Sequence, residues 1–292
     1  MGVRLFEIGV MLKRFYSDTL EIRQSDGTST RFLWVCLLKK GLTIASSGKG
    51  GVGKTSFMAL VLKSFLSDGM DNILVVDADP DANMPEVLNI QVKGTVAMAV
   101  HELKDKIDDL PRDFNKDAFL ETKVFGLLHE GEQFDLLVMG AVEKEGCFCM
   151  PNTMLANIVD TLSKNYKLVL MDLPAGLEHV TRRTSRNVDL MYILTDSSKM
   201  GIETAARIKR FAGKIEGKIE KMVVLGNRLS QDVADKIRAK ARELGADYGG
   251  TIPSDDMITR YNMDGRSLLE LPETSTAFQA VRSILSEEPL LG

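Results

Sequence analysis

From Gly41 onward, short continuous apolar runs alternate with longer stretches that are apolar on one side only. The runs are Leu42 to Ser46, Asn72 to Asp77, Phe134 to Met139, Lys167 to Met171, Leu190 to Leu194 and Met222 to Leu225. Their length and β-branched content predict strands buried on both faces. The stretches Ser56 to Leu66, Thr153 to Leu162, Glu203 to Ile215 and Asp232 to Leu244 carry the spacing of helices. Strand and helix in alternation predict an α/β fold: a doubly wound, mostly parallel sheet with helices on both faces.

Residues 1–40 stand outside this rhythm. Leu20 to Arg23 and Thr30 to Trp34 flank Ser25-Asp26-Gly27, which predicts a β-hairpin or a poorly ordered extension before a main domain at 41–292. The extension carries seven basic and four acidic residues, a net charge of +3, leaving −7 on the rest.

Composition narrows the class. Hydrophobic residues make up 44% and charged residues 27% of the 292 positions, the mix of an ordinary globular protein. A net charge of −4 argues against general affinity for nucleic acid. No apolar run approaches the roughly 18 residues that span a bilayer, and neither the run Phe32 to Leu38 nor the N-terminus, with Phe6 where acylation wants Ser or Thr, reads as a targeting signal. Three cysteines, Cys36, Cys147 and Cys149, cannot build a disulfide framework, so a cytoplasmic setting is expected.

Gly48-Lys49-Gly50-Gly51-Val52-Gly53-Lys54-Thr55 lies between a predicted strand and a predicted helix. It fits the P-loop pattern in full. Glycines let backbone N–H groups converge on phosphate oxygens, Lys54 reaches the β- and γ-phosphates, and the Thr55 hydroxyl ligates Mg²⁺. Gly48 through Ser56 is therefore the expected cradle, and residues 41–292 read as a P-loop ATPase domain. Leu168 to Asp172 is an apolar strand ending in a carboxylate, which places Asp172 beside the hydrated Mg²⁺. Cys147 and Cys149 lie two residues apart in a predicted loop. One such pair offers two thiolates where a tetrahedral site wants four, so two copies meeting on a two-fold axis would complete it.

The second lysine, Lys49, gives Lys-Gly-Gly-Val-Gly-Lys-Thr, which resembles the deviant Walker A motif of the dimeric ATPases that include the MinD, ParA and nitrogenase iron protein families. That resemblance implies an ATP-dependent homodimer in which Lys49 reaches the partner's phosphates. It also implies that Asp79, within Asp77-Ala78-Asp79-Pro80, orients the attacking water, a role Asp81 could share. Asn227 is similar to the adenine-reading asparagine, and Ile252-Pro253-Ser254-Asp255 to the base-side loop, bringing Pro253 and Asp255 to the nucleotide. Together with Gly146-Cys147-Phe148-Cys149 and Ala175-Gly176-Leu177-Glu178-His179, these residues resemble the nickel-inserting accessory ATPases of carbon monoxide dehydrogenase, the CooC family. The resemblance spans roughly 41–285. It implies Ni or Zn at Cys147 and Cys149 in a dimer interface, and a recipient enzyme such as carbon monoxide dehydrogenase or acetyl-CoA synthase. His179 reads better as a packed or surface histidine than as a ligand.

Two alternatives stand beside this. A MinD- or ParA-type positioning ATPase would want a membrane-binding C-terminal helix, but Ser286-Glu287-Glu288-Pro289 is acidic, or a DNA-binding basic face, but Arg207, Lys209, Arg210, Lys214, Lys218 and Lys221 read as a solvated helix face. Neither membrane nor nucleic acid is an expected partner. An Fe–S electron donor like the nitrogenase iron protein is the other, since four interfacial thiolates also suit a cluster.

Overall fold

The computed structural model describes residues 41–106, 111, 115–141, 157–174, 188–212, 219–229, 231–243 and 245–291. Residues 1–40, with the expected hairpin and Cys36, lie outside the described residues, as do Cys147, Cys149 and the segment Ala175 to His179.

Strand β1 (Leu42–Gly48) is buried at every position, as are β2 (Ile73–Asp77), β5 (Leu168–Asp172) and β6 (Val188–Thr195). These are the continuous apolar runs of the sequence, and full burial requires cover on both faces. Alternate side chains of β1 serve the two cores: Leu42 and Ile44 join Phe57, Leu60 and Phe278 on one face, whereas Ala45 joins Leu74, Val76 and Met191 on the other. Helices α1 (Lys54–Ser67) and α8 (Thr276–Ser286) pack on the first face. Helices α3 (Val96–Lys106), α4 (Lys116–Leu127), α5 (Lys199–Ala212) and α6 (Gln231–Glu243) contribute to the second core.

The sheet has eight strands in the order β3-β4-β2-β5-β1-β6-β7-β8, where β3 is His129–Glu130, β4 Phe134–Val138, β7 Ile219–Asn227 and β8 Asp247–Ile252. All neighbours run parallel except β3, a short antiparallel edge. This is the expected doubly wound architecture. Strand β1 lies where the chain turns from filling one side of the sheet to filling the other. Ligands in such sheets bind beyond the carboxyl ends of the strands at that switch point. The carboxyl ends of β1, β2, β5, β6, β7 and β8 all lie on that edge of the sheet. A short helix α2 (Met84–Leu88) follows β2, and α7 (Asp256–Met263) follows β8.

Candidate nucleotide site

Strand β1 runs into the P-loop at Gly48, where a Cβ would sit 2.4 Å from the Leu194 carbonyl oxygen on β6. Only glycine lets the loop leave the sheet that close to its neighbour. The loop ends at Gly53, with φ 91°, where a Cβ would lie 2.5 Å from Asn227 Nδ2. Helix α1 starts directly after it, with no side-chain cap and no acidic residue in its first turn. Its positive end is thus open to an anion.

Lys54 is buried, and its Nζ lies 3.7 Å from Asp79 Oδ2. Thr55 Oγ1 donates to Asp172 Oδ2 at 2.6 Å, and Ser46 Oγ donates to Asp172 Oδ1 at 3.0 Å. Burial pushes the Asp172 carboxyl up to about 6, against the pull of the Thr55 hydroxyl, the Lys54 charge and the Ser46 hydroxyl. Asp77 stands opposite Asp172 in the β2–β5 register. Its Oδ1 accepts from the Asp79 amide at 3.1 Å and its Oδ2 from the Met84 amide at 2.9 Å. Burial first and the Asp172 charge second push Asp77 up to about 7. Asp77 therefore shapes the loop that aims Asp79, and the Asp79 carboxylate in turn accepts from the Asp81 amide at 3.2 Å. Of these, Lys54, Thr55, Asp79 and Asp81 line a cavity of about 300 Å³ together with Gly50, Gly51, Glu86 and Asn262.

A second cavity, of about 260 Å³, adjoins it and includes Gly53, Ser56, Asn227, Arg228, Pro253, Ser254 and Asp255. Asn227 is buried at the end of β7, and its Nδ2 donates to the Val52 carbonyl oxygen at 2.7 Å. It ties this cavity to the P-loop. Asp255 borders the cavity, but its carboxylate is engaged with scaffold: Oδ1 caps α7 through the Met257 amide at 2.9 Å, and Oδ2 accepts from Ser275 Oγ at 2.7 Å, Thr276 Oγ1 at 3.3 Å and the Ala277 amide at 3.1 Å. Burial alone would raise this carboxyl; the four donors outweigh it and hold the group below the usual carboxylate value.

Lys49 is elsewhere. Its Nζ donates to Asp196 Oδ2 at 3.3 Å and to Ser198 Oγ at 3.2 Å, beyond the end of β6. Sequence reading also passed over Ser46, which holds Asp172, and the acceptor role of Asp77. Ser46 sits in an apolar strand without a motif, and only the register opposite Asp172 exposes its role. Among the described residues no group of three or more His, Cys, Asp or Glu could hold a metal ion, and no helix is long and apolar enough to cross a membrane.

The donor set suits a hydrated hard cation: a hydroxyl and a carboxylate already share one hydrogen bond at the foot of a buried lysine and an uncapped helix. A P-loop at the switch point of a parallel sheet, with a Walker B aspartate bonded to the P-loop threonine, defines a P-loop nucleotide-binding protein. Residues 43–268 match the CobQ/CobB/MinD/ParA nucleotide binding domain, and the chain belongs to that family of P-loop ATPases. It is 43% identical to an uncharacterized ATP-binding protein of Methanocaldococcus jannaschii, over 83% of this chain and 96% of that one. It is 28% identical to the carbon monoxide dehydrogenase accessory protein CooC of Rhodospirillum rubrum, over 79% of this chain and 90% of that one. Among solved structures, a ParA family ATPase from Chlorobium tepidum superposes with a TM-score of 0.62 at 16% identity, over 84% of this chain and 97% of that one.

Proposed function

We propose that this chain hydrolyses ATP as a homodimer and couples that cycle to delivery of nickel during maturation of a carbon monoxide dehydrogenase or acetyl-CoA synthase. The observation that carries the ATPase part is the set Lys54–Asp79 and Thr55–Asp172, gathered at the mouth of one uncapped helix. The P-loop amides from Gly48 to Ser56 cradle the phosphates, and Lys54 neutralises charge on the β- and γ-phosphates. Thr55 and Asp172 would hold a hydrated Mg²⁺, which would offset the negative charge of the phosphates. Asp79 orients the attacking water, and Lys49 of a second copy supplies positive charge as the bond to the γ-phosphoryl group breaks. Asn227 and Pro253 receive the adenine, with Asp255 holding their loop in place.

The likeness to CooC supports the nickel part, as do Cys147 and Cys149 in the sequence, which would offer four thiolates across a two-fold axis. Nickel or zinc there is cargo rather than a resident cofactor. Metal analysis and light scattering with MgADP and with a non-hydrolysable ATP analogue test the reading together. The expected result is one Ni²⁺ or Zn²⁺ per dimer, lost in the Cys147→Ser/Cys149→Ser double variant while ATP binding persists; Cys36→Ser changes neither. A wild type that binds one metal per monomer and stays monomeric overturns the shared site. A brown chain containing iron and sulfide would instead favour the Fe–S electron donor. Normal turnover by Lys49→Ala would reject Lys49 as a residue acting across the dimer.

A further inference from the structure

Asp196 and Ser198 form a built receptor for the Lys49 ammonium. Asp196 Oδ1 accepts from the Ser198 amide at 3.0 Å and from the Ser198 hydroxyl, which fixes the carboxylate and leaves Oδ2 for Lys49 at 3.3 Å. Ser198 Oγ in turn accepts from the Gly201 amide at 3.0 Å in the first turn of α5 and takes a second bond from Lys49 at 3.2 Å. The fit is tight. A Cβ on Gly201 would lie 2.3 Å from Asp196 Oδ1 and 2.9 Å from Thr195 Oγ1. Glycine at 201 is thus a condition for Asp196 to sit where Lys49 finds it.

The pair is also easy to open. Side-chain exposure is 31% for Lys49 and 33% for Asp196, so water competes for both partners. Exposed pairs of this kind are worth little, and the gap between held and released corresponds to a factor of about two to five. A lysine held this way costs little to free, yet it is not available to a neighbour while held.

We infer that Asp196 is a positioning residue that stores Lys49 within its own chain and releases it only when a second copy offers bound ATP, so that the Asp196–Ser198 receptor sets the protein concentration at which the dimer forms. This rests on the proposed dimeric ATPase, in which Lys49 acts on the partner's phosphates. Closing the dimer then requires two such pairs to break, one per protomer, and their loss raises the threshold for assembly without touching nucleotide binding to a single chain.

Light scattering over a dilution series, with Mg²⁺ and a non-hydrolysable ATP analogue, reads that threshold. Asp196→Asn keeps an acceptor for the Ser198 amide but removes the charge, and should lower the half-dimerising concentration about four- to twenty-fivefold, the factor of about two to five for one pair taken once per protomer. Gly201→Ala should act in the same direction by displacing the carboxylate, and it carries the test if the first variant does not fold. The combined variant should shift no further than the larger single change, because both break one contact. Glu203→Gln alters charge by the same amount in the first turns of α5, where among the described residues its ion pair is with Lys199 at 3.8 Å, and should leave the threshold where it was. Nucleotide affinity at monomeric concentration should be equal in all of them. If wild type dimerises and Asp196→Asn leaves the threshold unchanged or raises it, or if the two changes add in full, the storage role is wrong while the dimeric ATPase stands. If wild type remains monomeric at every concentration, both fall together.

Discussion

Helix α1 and helix α7 both start at the rim of the second cavity, one directly after Gly53 and the other directly after Asp255. Gly53 sits in the left-handed region with φ 91° and offers no side chain, so the first turn of α1 carries no cap. Asp255 is extended, caps α7 through Met257, and also binds the start of α8. Helices α4 and α8 are capped in the same manner by Asn115 and Ser275. A capped helix has settled its orphan amides within the protein; an uncapped one leaves them for a ligand. The difference separates a terminus left open to an anion from termini already satisfied within the scaffold.

The largest effect should come from the uncapped side. Lys54 is nearly enclosed and faces Asp79 at 3.7 Å, so removing it takes the in-chain cation from the phosphates. For Lys54→Ala we expect ATP binding weaker by about 2–5 kcal/mol, to the point of being undetectable at micromolar nucleotide, in a calorimetric titration. Thermal stability of the nucleotide-free chain should change far less, because among the described residues Lys54 pairs with the Asp79 side chain and anchors no backbone group. Retained affinity would mean that the open end of α1 is not the phosphate site.

The carboxylates beneath that end give the next effect, in the nucleotide-free protein. Asp77 is pushed up to about 7 and Asp172 to about 6, both chiefly by burial. Between the ordinary carboxylate value and those raised values, the folded chain holds protons that the unfolded chain has released. Stability therefore falls as pH rises through that window and levels off above about 7. The fall between about pH 5.5 and about pH 7.5 should be on the order of 2 kcal/mol, read from denaturant midpoints. Asp77→Asn should remove most of the slope. A flat profile across that window would show that these two carboxylates are already ionised in the folded chain.

The two sides were also unequally legible in the sequence. The P-loop and Asp172 were readable because the phosphate side is built from contiguous residues at the ends of apolar strands, where spacing and burial tell one story. The capped side is assembled from far-apart pieces. Strand β8 reads Asp-Tyr-Gly-Gly-Thr-Ile, too polar and glycine-rich to register as a buried run, because it is an edge strand that is only partly covered. Asp255 was assigned to the nucleotide from the loop it occupies, yet its carboxylate is taken by Ser275, Thr276 and Ala277, some twenty positions on. No local pattern announces such a contact. The Asp196 receptor for Lys49 was illegible for the same reason: the two partners are separated by 147 positions.

Asp255→Ala should reverse the outcome expected for Lys54→Ala. It removes the cap of α7 and an acceptor shared by three groups at the start of α8. A lost cap costs about 1 kcal/mol, and the stranded donors bring the total to about 2 kcal/mol, or a fall of about 4–8 °C in a thermal scan. ATP affinity should fall less than about threefold, since both oxygens of this carboxylate are bonded to the scaffold. A large loss of affinity with unchanged stability would return Asp255 to the nucleotide.

The smallest effect isolates one bond within that scaffold. Ser275 is fully buried, accepts from the Phe278 amide at 3.1 Å as the cap of α8, and donates to Asp255 Oδ2 at 2.7 Å. Ser275→Ala therefore loses a cap and one of four donors to Asp255, a cost of about 1 kcal/mol in stability with no change in ATP affinity. The double variant with Asp255→Ala is the sharper measurement. The Ser275–Asp255 bond is lost in each single variant but can be lost only once. The two single costs should therefore exceed the cost of the double by about 0.5–1 kcal/mol. Strict additivity would mean that the caps of α7 and α8 act separately, and that Asp255 serves α7 alone.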